Sequence, residues 1–149
     1  MKNVAMTDTT IELSVDSFDK AKEFYSKLEF TVVWEDPAQE GQQNGYMVMK
    51  KENSVLCFFC GNKEVYNHLY FKNFPSDTKK GYGVEISIPV ENLEDYYNRV
   101  EKVIGRENIY QPLEEKPWGK KDFRIEDPFG YFLRFNEPWN VLEFLPFED

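Results

Sequence analysis

Cysteine, histidine and basic charge are scarce in this chain of 149 residues. It has 2 cysteines and 1 histidine. Cys57 and Cys60 form a lone C-x-x-C with no second pair, and His68 is the sole imidazole, so a zinc site lacks ligands. A redox pair is conceivable, but the segment reads as a strand end rather than a helix start. Two reduced thiols are the simpler reading. Lys plus Arg number 18 against 27 Asp plus Glu, a formal net charge of -9. A nucleic-acid binder needs a basic face, and the densest basic spots here are only Lys79-Lys80 and Lys120-Lys121. The acidic field attracts cations instead. No apolar run approaches the ~20 residues of a membrane span. Residues 1–10 hold no apolar stretch resembling a signal peptide. The expectation is a cytoplasmic protein with neither a nucleic-acid nor a membrane partner.

Aromatic residues, by contrast, are plentiful: 13 Phe, 9 Tyr and 3 Trp. A core needs some of them, and the number leaves candidates for stacking on a flat ligand. Hydrophobic residues are 41% and charged residues 30% of the chain, which excludes wholesale disorder. A chain this long buries roughly 68–70% of its unfolded surface, so it needs no disulfide or metal to fold.

The hydrophobic pattern is written twice. Residues 10–15 alternate, with Ile11, Leu13 and Val15 on one side and Thr10, Glu12 and Ser14 on the other, as in a half-buried strand. Asp16 or Ser17 then caps a helix whose apolar stripe is Phe18, Ala21, Phe24, Tyr25 and Leu28. Strand-like runs follow at 30–34, 46–50 and 54–60, separated by the turn sequences Glu35-Asp36-Pro37, Asn44-Gly45 and Glu52-Asn53. Val84, Ile86 and Ile88 reopen the pattern. Asn92 is the expected cap of a second helix carrying Leu93, Tyr96, Tyr97, Val100 and Val103-Ile104. Strands are expected at 109–111, 122–126 and 131–136, the last two joined by the turn Asp127-Pro128-Phe129-Gly130. At an offset of 75 residues Ile11 meets Ile86, Leu13 meets Ile88, Val15 meets Val90 and Phe18 meets Leu93. The periodicity predicts an α+β protein with an internal strand–helix–three-strand repeat.

The expected organisation is a single domain of two βαβββ modules, about 8–60 and 82–137, with a connecting segment 61–81 and a tail 138–149. The connection carries Tyr66, Tyr70, Phe71, Phe74 and Pro75, too aromatic for a free linker. It is expected to pack across the sheet or cover a cleft, with a short helix near 63–68. The tail's Trp139, Leu142, Phe144, Leu145 and Phe147 are expected to pack on their own sheet or reach another subunit.

Three stretches resemble the vicinal oxygen chelate superfamily, the group of glyoxalase I, extradiol dioxygenases and bleomycin-resistance proteins. The first runs from Val15 through Phe24-Tyr25 to Leu28, with Glu29 where glycine is usual. The second is Val55-Leu56-Cys57-Phe58-Phe59. In the third, Pro117-Trp118-Gly119 stands seven residues ahead of Asp127-Pro128-Phe129-Gly130, a spacing similar to the bleomycin-resistance branch. The resemblance implies paired βαβββ modules curled into an open, mixed-sheet, barrel-like cleft, and a homodimer whose interface lines the clefts.

Enzymes of that superfamily hold a divalent metal on the first and last strands of each module. The resemblance carries those positions to Thr10, Cys57, Glu85 and Arg134. Arginine never deprotonates and repels a cation, and one carboxylate with one thiol is too few for a catalytic metal site. No cofactor and no catalytic residue are therefore expected. Glu85 and Arg134 are expected to face each other as an ion pair.

Strand parity groups Val55, Cys57 and Phe59 on one face and Phe132, Arg134 and Asn136 on another. Trp34 ends the second strand and Trp118 precedes the seventh. The candidate ligand-binding residues are accordingly Trp34, Cys57, Phe59, Glu85, Trp118, Phe132 and Arg134. Rings beside carboxylates suit a planar cation, and bleomycin-type compounds, with flat rings and a cationic tail, have that character. The expected function is non-catalytic sequestration of such a molecule. Two alternatives stay open: a metal-dependent lyase or isomerase with displaced ligands such as Glu12, Glu85 and Cys57, and a regulatory module with a vestigial cleft.

Overall fold

The structure is a computed structural model in which residues 9–42, 45–70 and 72–139 are described. They fall into two compact units, Met1–Lys79 and Lys80–Asp149.

In the first unit the elements are β1 (Glu12–Val15), α1 (Phe18–Lys27), β2 (Thr31–Asp36), β3 (Tyr46–Lys51) and β4 (Ser54–Cys60). The sheet order is β1-β4-β3-β2, with β1 parallel to β4 and the other pairs antiparallel. Ser17 caps α1 through its side chain, which accepts the Lys20 amide N–H at 3.2 Å. Phe18, Ala21, Phe24 and Tyr25 then fall on the buried stripe. They cover one face of the sheet, where Leu13, Val15, Met47, Met49, Leu56, Phe58 and Cys60 are buried. The Tyr25 ring is the hub, 5.0 Å from Phe58, 5.3 Å from Phe24 and 5.9 Å from Phe30. Glu29 leaves the helix at φ 68, the left-handed region that glycine enters without cost, which gives the usual family glycine at this position its physical reason.

The second unit repeats the plan with β5 (Glu85–Pro89), α2 (Leu93–Ile104), β6 (Ile109–Glu115), β7 (Lys121–Glu126) and β8 (Phe132–Asn136), in the order β5-β8-β7-β6. Phe18 and Leu93 open their helices at the expected offset. Leu93, Tyr96, Tyr97, Val100 and Ile104 cover Ile86, Ile88, Phe123, Ile125, Leu133 and Phe135. Phe123 and Phe135 stack at 5.1 Å with 18° between their planes. Among the described residues the eight strands make two mixed sheets and no closed barrel.

The Asp127-Pro128-Phe129-Gly130 turn sets the register of β7 on β8. Gly130 donates its N–H to the Asp127 carbonyl at 3.2 Å. The Asp127 carboxylate, buried, accepts the Phe129 and Tyr131 amides at 2.9 and 2.8 Å. Glu126 therefore lies opposite Phe132 and Arg124 opposite Arg134.

Four expectations need correction. Thr10 precedes β1, which opens at Glu12, so it is not on the opening strand. Asn92 adopts φ 52, in the left-handed region, and makes no side-chain cap hydrogen bond. β6 continues through Pro112 to Glu115, because register shifts let an edge strand absorb the missing proline donor. The connecting segment packs on its sheet only in part. A 3₁₀ turn at Lys63–Asn67 buries Val65, and His68 meets Phe59 at 5.8 Å, but Leu69, Tyr70 and Phe74 are exposed. The expectations for Asn44, Phe71, Leu142, Phe144, Leu145 and Phe147 lie outside the described residues.

Candidate functional site

Each sheet has a second face, opposite its helix, and the residues singled out in the sequence sit there. In the first unit, cross-strand register lines up Glu12, Cys57, Val48 and Trp34 in one row and Ser14, Phe59, Tyr46 and Asp36 in the next. The Tyr46 hydroxyl donates to the Glu12 carboxylate at 2.7 Å, and its ring lies 6.2 Å from that of Trp34. Trp34 is 54% exposed. Cys57 is buried, so its thiol contributes to the floor rather than to an accessible contact. Cys60 is three residues on, under the helix; alternation along the strand sends the two thiols to opposite faces, and neither is in a disulfide. Burial, then the hydrogen bonds with Cys57 and Glu12, push the Tyr46 phenol well above its ordinary value.

That shift predicts a pH dependence. A folded-state value raised above the unfolded one favours the fold fully below about pH 10, the ordinary tyrosine value. The contribution is lost as pH rises toward the folded value. Phenolate absorbance is expected to titrate later in the native protein than in Tyr46→Phe plus its free-tyrosine complement, and the wild-type advantage in urea midpoint is expected to shrink above that pH. Ordinary titration of Tyr46 would contradict its half-buried position against Glu12.

The second unit's open face is more polar. The rows here are Glu85, Phe132 and Glu126; then Ser87, Arg134, Arg124 and Gln111; then Pro89, Asn136, Asp122 and Glu114. Arg134 donates from Nε to Asp122 Oδ2 at 2.9 Å. Asp122 is 1% exposed and also accepts Gln111 Nε2 at 2.8 Å, with Lys116 Nζ at 3.9 Å. Glu85 faces Arg134 as expected, but at 3.9 Å; Arg124 Nε is nearer, at 3.4 Å. The principal partner of Arg134 is thus Asp122. Two guanidinium groups directly across the β7–β8 pair would repel, and the two carboxylates hold them apart.

Trp118 stands in a tight turn in which Gly119 donates its N–H to the Lys116 carbonyl at 2.8 Å. Its ring lies 5.5 Å from the Arg134 guanidinium carbon, and it is 48% exposed. The register shift at Tyr110 turns its ring onto Phe132, edge to face at 5.8 Å. Burial, with Glu85 adding to it, raises the Tyr110 phenol above its usual value. A separate depression of about 560 Å³ at the N-terminal end of α2, bounded by Glu91, Glu94, Lys120, Lys121 and Glu137, contains none of the expected residues.

Within their units, Trp34, Cys57 and Phe59 share one open face, and Glu85, Trp118, Phe132 and Arg134 share the other. Sequence reasoning missed Asp122, Arg124, Gln111 and Tyr110. Arg124 and Asp122 were within reach: the four-residue turn fixes Arg124 opposite Arg134, and Asp122 follows by alternation. Tyr110 was not, because a bulge breaks the parity on which such inference rests.

The metal-ligand positions of the family's enzymes do not fit a divalent cation here. Thr10 lies outside its strand, Cys57 is buried, and Arg134 brings positive charge. Among the described residues no group of three or more His, Cys, Asp or Glu is placed to hold a metal ion. No helix among them is long and apolar enough to cross a membrane.

Solved structures share this fold. A bleomycin-binding protein complexed with bleomycin superposes with a TM-score of 0.63 at 20% identity, covering 90% of this chain and 100% of that one. A bleomycin resistance determinant encoded on the transposon Tn5 gives 0.64 at 20% identity, covering 91% and 100%. TioX from Micromonospora sp. ML1 gives 0.60 at 16%, covering 91% and 98%. No curated protein matches the chain. The family model that matches residues 9–135 is the one that the motifs and the twice-written βαβββ plan anticipate: the chain belongs to the Glyoxalase/Bleomycin resistance protein/Dioxygenase superfamily.

Proposed function

We propose that the protein is a non-catalytic binder that sequesters a planar, cationic small molecule, in an aromatic cleft at a homodimer interface, within the cytoplasm. The observation that carries this reading is the pair of half-exposed tryptophans: Trp34, on an open sheet face beside the Tyr46 ring whose hydroxyl bonds Glu12, and Trp118, in the turn before β7 over the Arg134 guanidinium that Asp122 pairs. Large apolar rings left in water are costly unless something covers them, and indole faces beside acids favour a flat cation. The net charge of -9 adds long-range attraction for the same ligand. Two structural relatives are proteins of bleomycin binding or resistance, and they supply the probe.

Capture without turnover has a simple signature. Bleomycin mixed with the protein and passed through an ultrafilter is expected to be retained up to a plateau of about one molecule per chain, and to be recovered after denaturation with its mass unchanged. A changed mass, or consumption beyond the protein present, would establish catalysis instead. Free passage of the compound would remove the drug-binding reading.

A further inference from the structure

Three side chains of different kinds stand in line across the first unit's open face. Glu12 and Trp34 lie on the two edge strands, β1 and β2, in one row that passes through Cys57 and Val48. Three strand spacings put their backbones about 14 Å apart. The Tyr46 side chain closes that gap. Its hydroxyl reaches over β4 to bond Cys57 and Glu12, and its ring lies 6.2 Å from the Trp34 ring. The phenol is held above its ordinary value, by burial first, so it stays a donor at neutral pH and orients the Glu12 carboxylate without neutralising it. Glu12 and Trp34 are both exposed, so solvent reaches the two ends of the line. The carboxylate accepts the Tyr46 hydroxyl on Oε1, and a carboxylate has about four acceptor positions, so capacity remains. Among the described residues, the unit's ion pairs use Lys22, Lys27 and Lys51, and none takes Glu12. Lys50 shares the open face but stands beyond Val48, on the side away from Tyr46.

We propose that Glu12 is the counter-ion for the charged end of an aromatic cation lying along this line, with the ligand's ring on Tyr46 and Trp34 and a planar N–H-bearing group, an amidinium or guanidinium, at the carboxylate. The two ends of the line differ, so the ligand binds in one direction: an indole favours a ring, and an unpaired carboxylate favours charge. Open lone pairs on Glu12 reward N–H donors with charge-assisted hydrogen bonds, which a quaternary ammonium cannot make. Flatness lets the charged group stay in plane with the ring it is attached to, so both rest on the same sheet face. The inference rests on the proposed binding role and specifies the cation and the residue that receives it.

The test titrates three small probes into the full chain and follows the indole N–H signals of Trp34 and Trp118 by NMR. Benzamidine is a planar N–H cation, benzamide its neutral counterpart, and phenyltrimethylammonium a cation without N–H. Benzamidine is expected to move the Trp34 signal and to bind about tenfold more tightly than benzamide and about fivefold more tightly than phenyltrimethylammonium. Raising the ionic strength is expected to narrow the gap to benzamide, because Glu12 is exposed. Glu12→Gln keeps the size of the side chain and removes its charge. It is expected to lower benzamidine to the benzamide level while benzamide itself is unchanged, which also shows that the variant is folded. Equal binding of benzamidine and benzamide overturns the inference, as does a benzamidine preference that survives Glu12→Gln. Phenyltrimethylammonium binding as tightly as benzamidine overturns the N–H requirement. A response at Trp118 instead of Trp34, or none to benzamidine at all, overturns the placement. Retention of bleomycin in the ultrafiltration assay is read separately, so failure here and failure of the binding role are distinguishable.

Discussion

Replacing Phe123 with alanine is expected to destabilise the protein by about 3–5 kcal/mol. The ring is fully buried, stacks on Phe135 at 5.1 Å and meets Tyr97 at 4.9 Å and Tyr96 at 6.0 Å. Truncation removes the transfer energy of the ring and leaves a cavity among aromatic neighbours too rigid to collapse into it. Urea unfolding measures the effect as a lower midpoint at unchanged slope. A shift below about 1 kcal/mol would contradict the placement of Phe123 at the centre of the second core.

The adjacent residue, Asp122, faces the other way and fails for a different reason. Asp122→Ala is expected to cost about 3 kcal/mol, because it leaves Arg134 without its closest carboxylate and Gln111 without its acceptor. Among the carboxylates of the described residues, Arg134 then keeps Glu85, at 3.9 Å. Removing the stranded charge as well, in Asp122→Ala/Arg134→Met, is expected to recover part of the loss. Additive losses in the double variant would show that the two side chains do not act as a pair.

These neighbouring residues also show what was legible in advance. Alternation along a strand separates Phe123 from Asp122, and helical spacing in Phe18–Leu28 and Leu93–Ile104 marks the stripes that cover the cores. The repeat was readable because each module needs the same apolar face twice, once on a helix and once on a sheet. Asp16 or Ser17 for the first helix and Asn92 for the second are residue types suited to caps, yet of the two residues that stand at the cap positions only Ser17 caps with its side chain; Asn92 sits at φ 52, and neighbouring sequence does not encode that angle simply. Partner choice on the open face was harder. Glu85 and Arg134 share a face, which parity shows, but distance assigns Arg134 to Asp122 and Glu85 to Arg124. That assignment depends on cross-strand register, and register comes from the Asp127–Gly130 turn rather than from the strands themselves. Bulges at Tyr110 and between Val32 and Trp34 fall outside any two-residue period, so the exposure of Val33 and the contact of the half-exposed Tyr110 ring with Phe132 had no sequence signal.

Capture of a planar ligand by an open sheet face is tested most directly by calorimetry, titrating the protein with metal-free bleomycin and then with its copper complex. Saturable binding is expected near one ligand per chain, with a Kd of about 1 μM or tighter, and loss of the signal in Trp118→Ala. Absence of heat for both forms at two temperatures, which guards against a vanishing enthalpy at one of them, would contradict drug capture at this face.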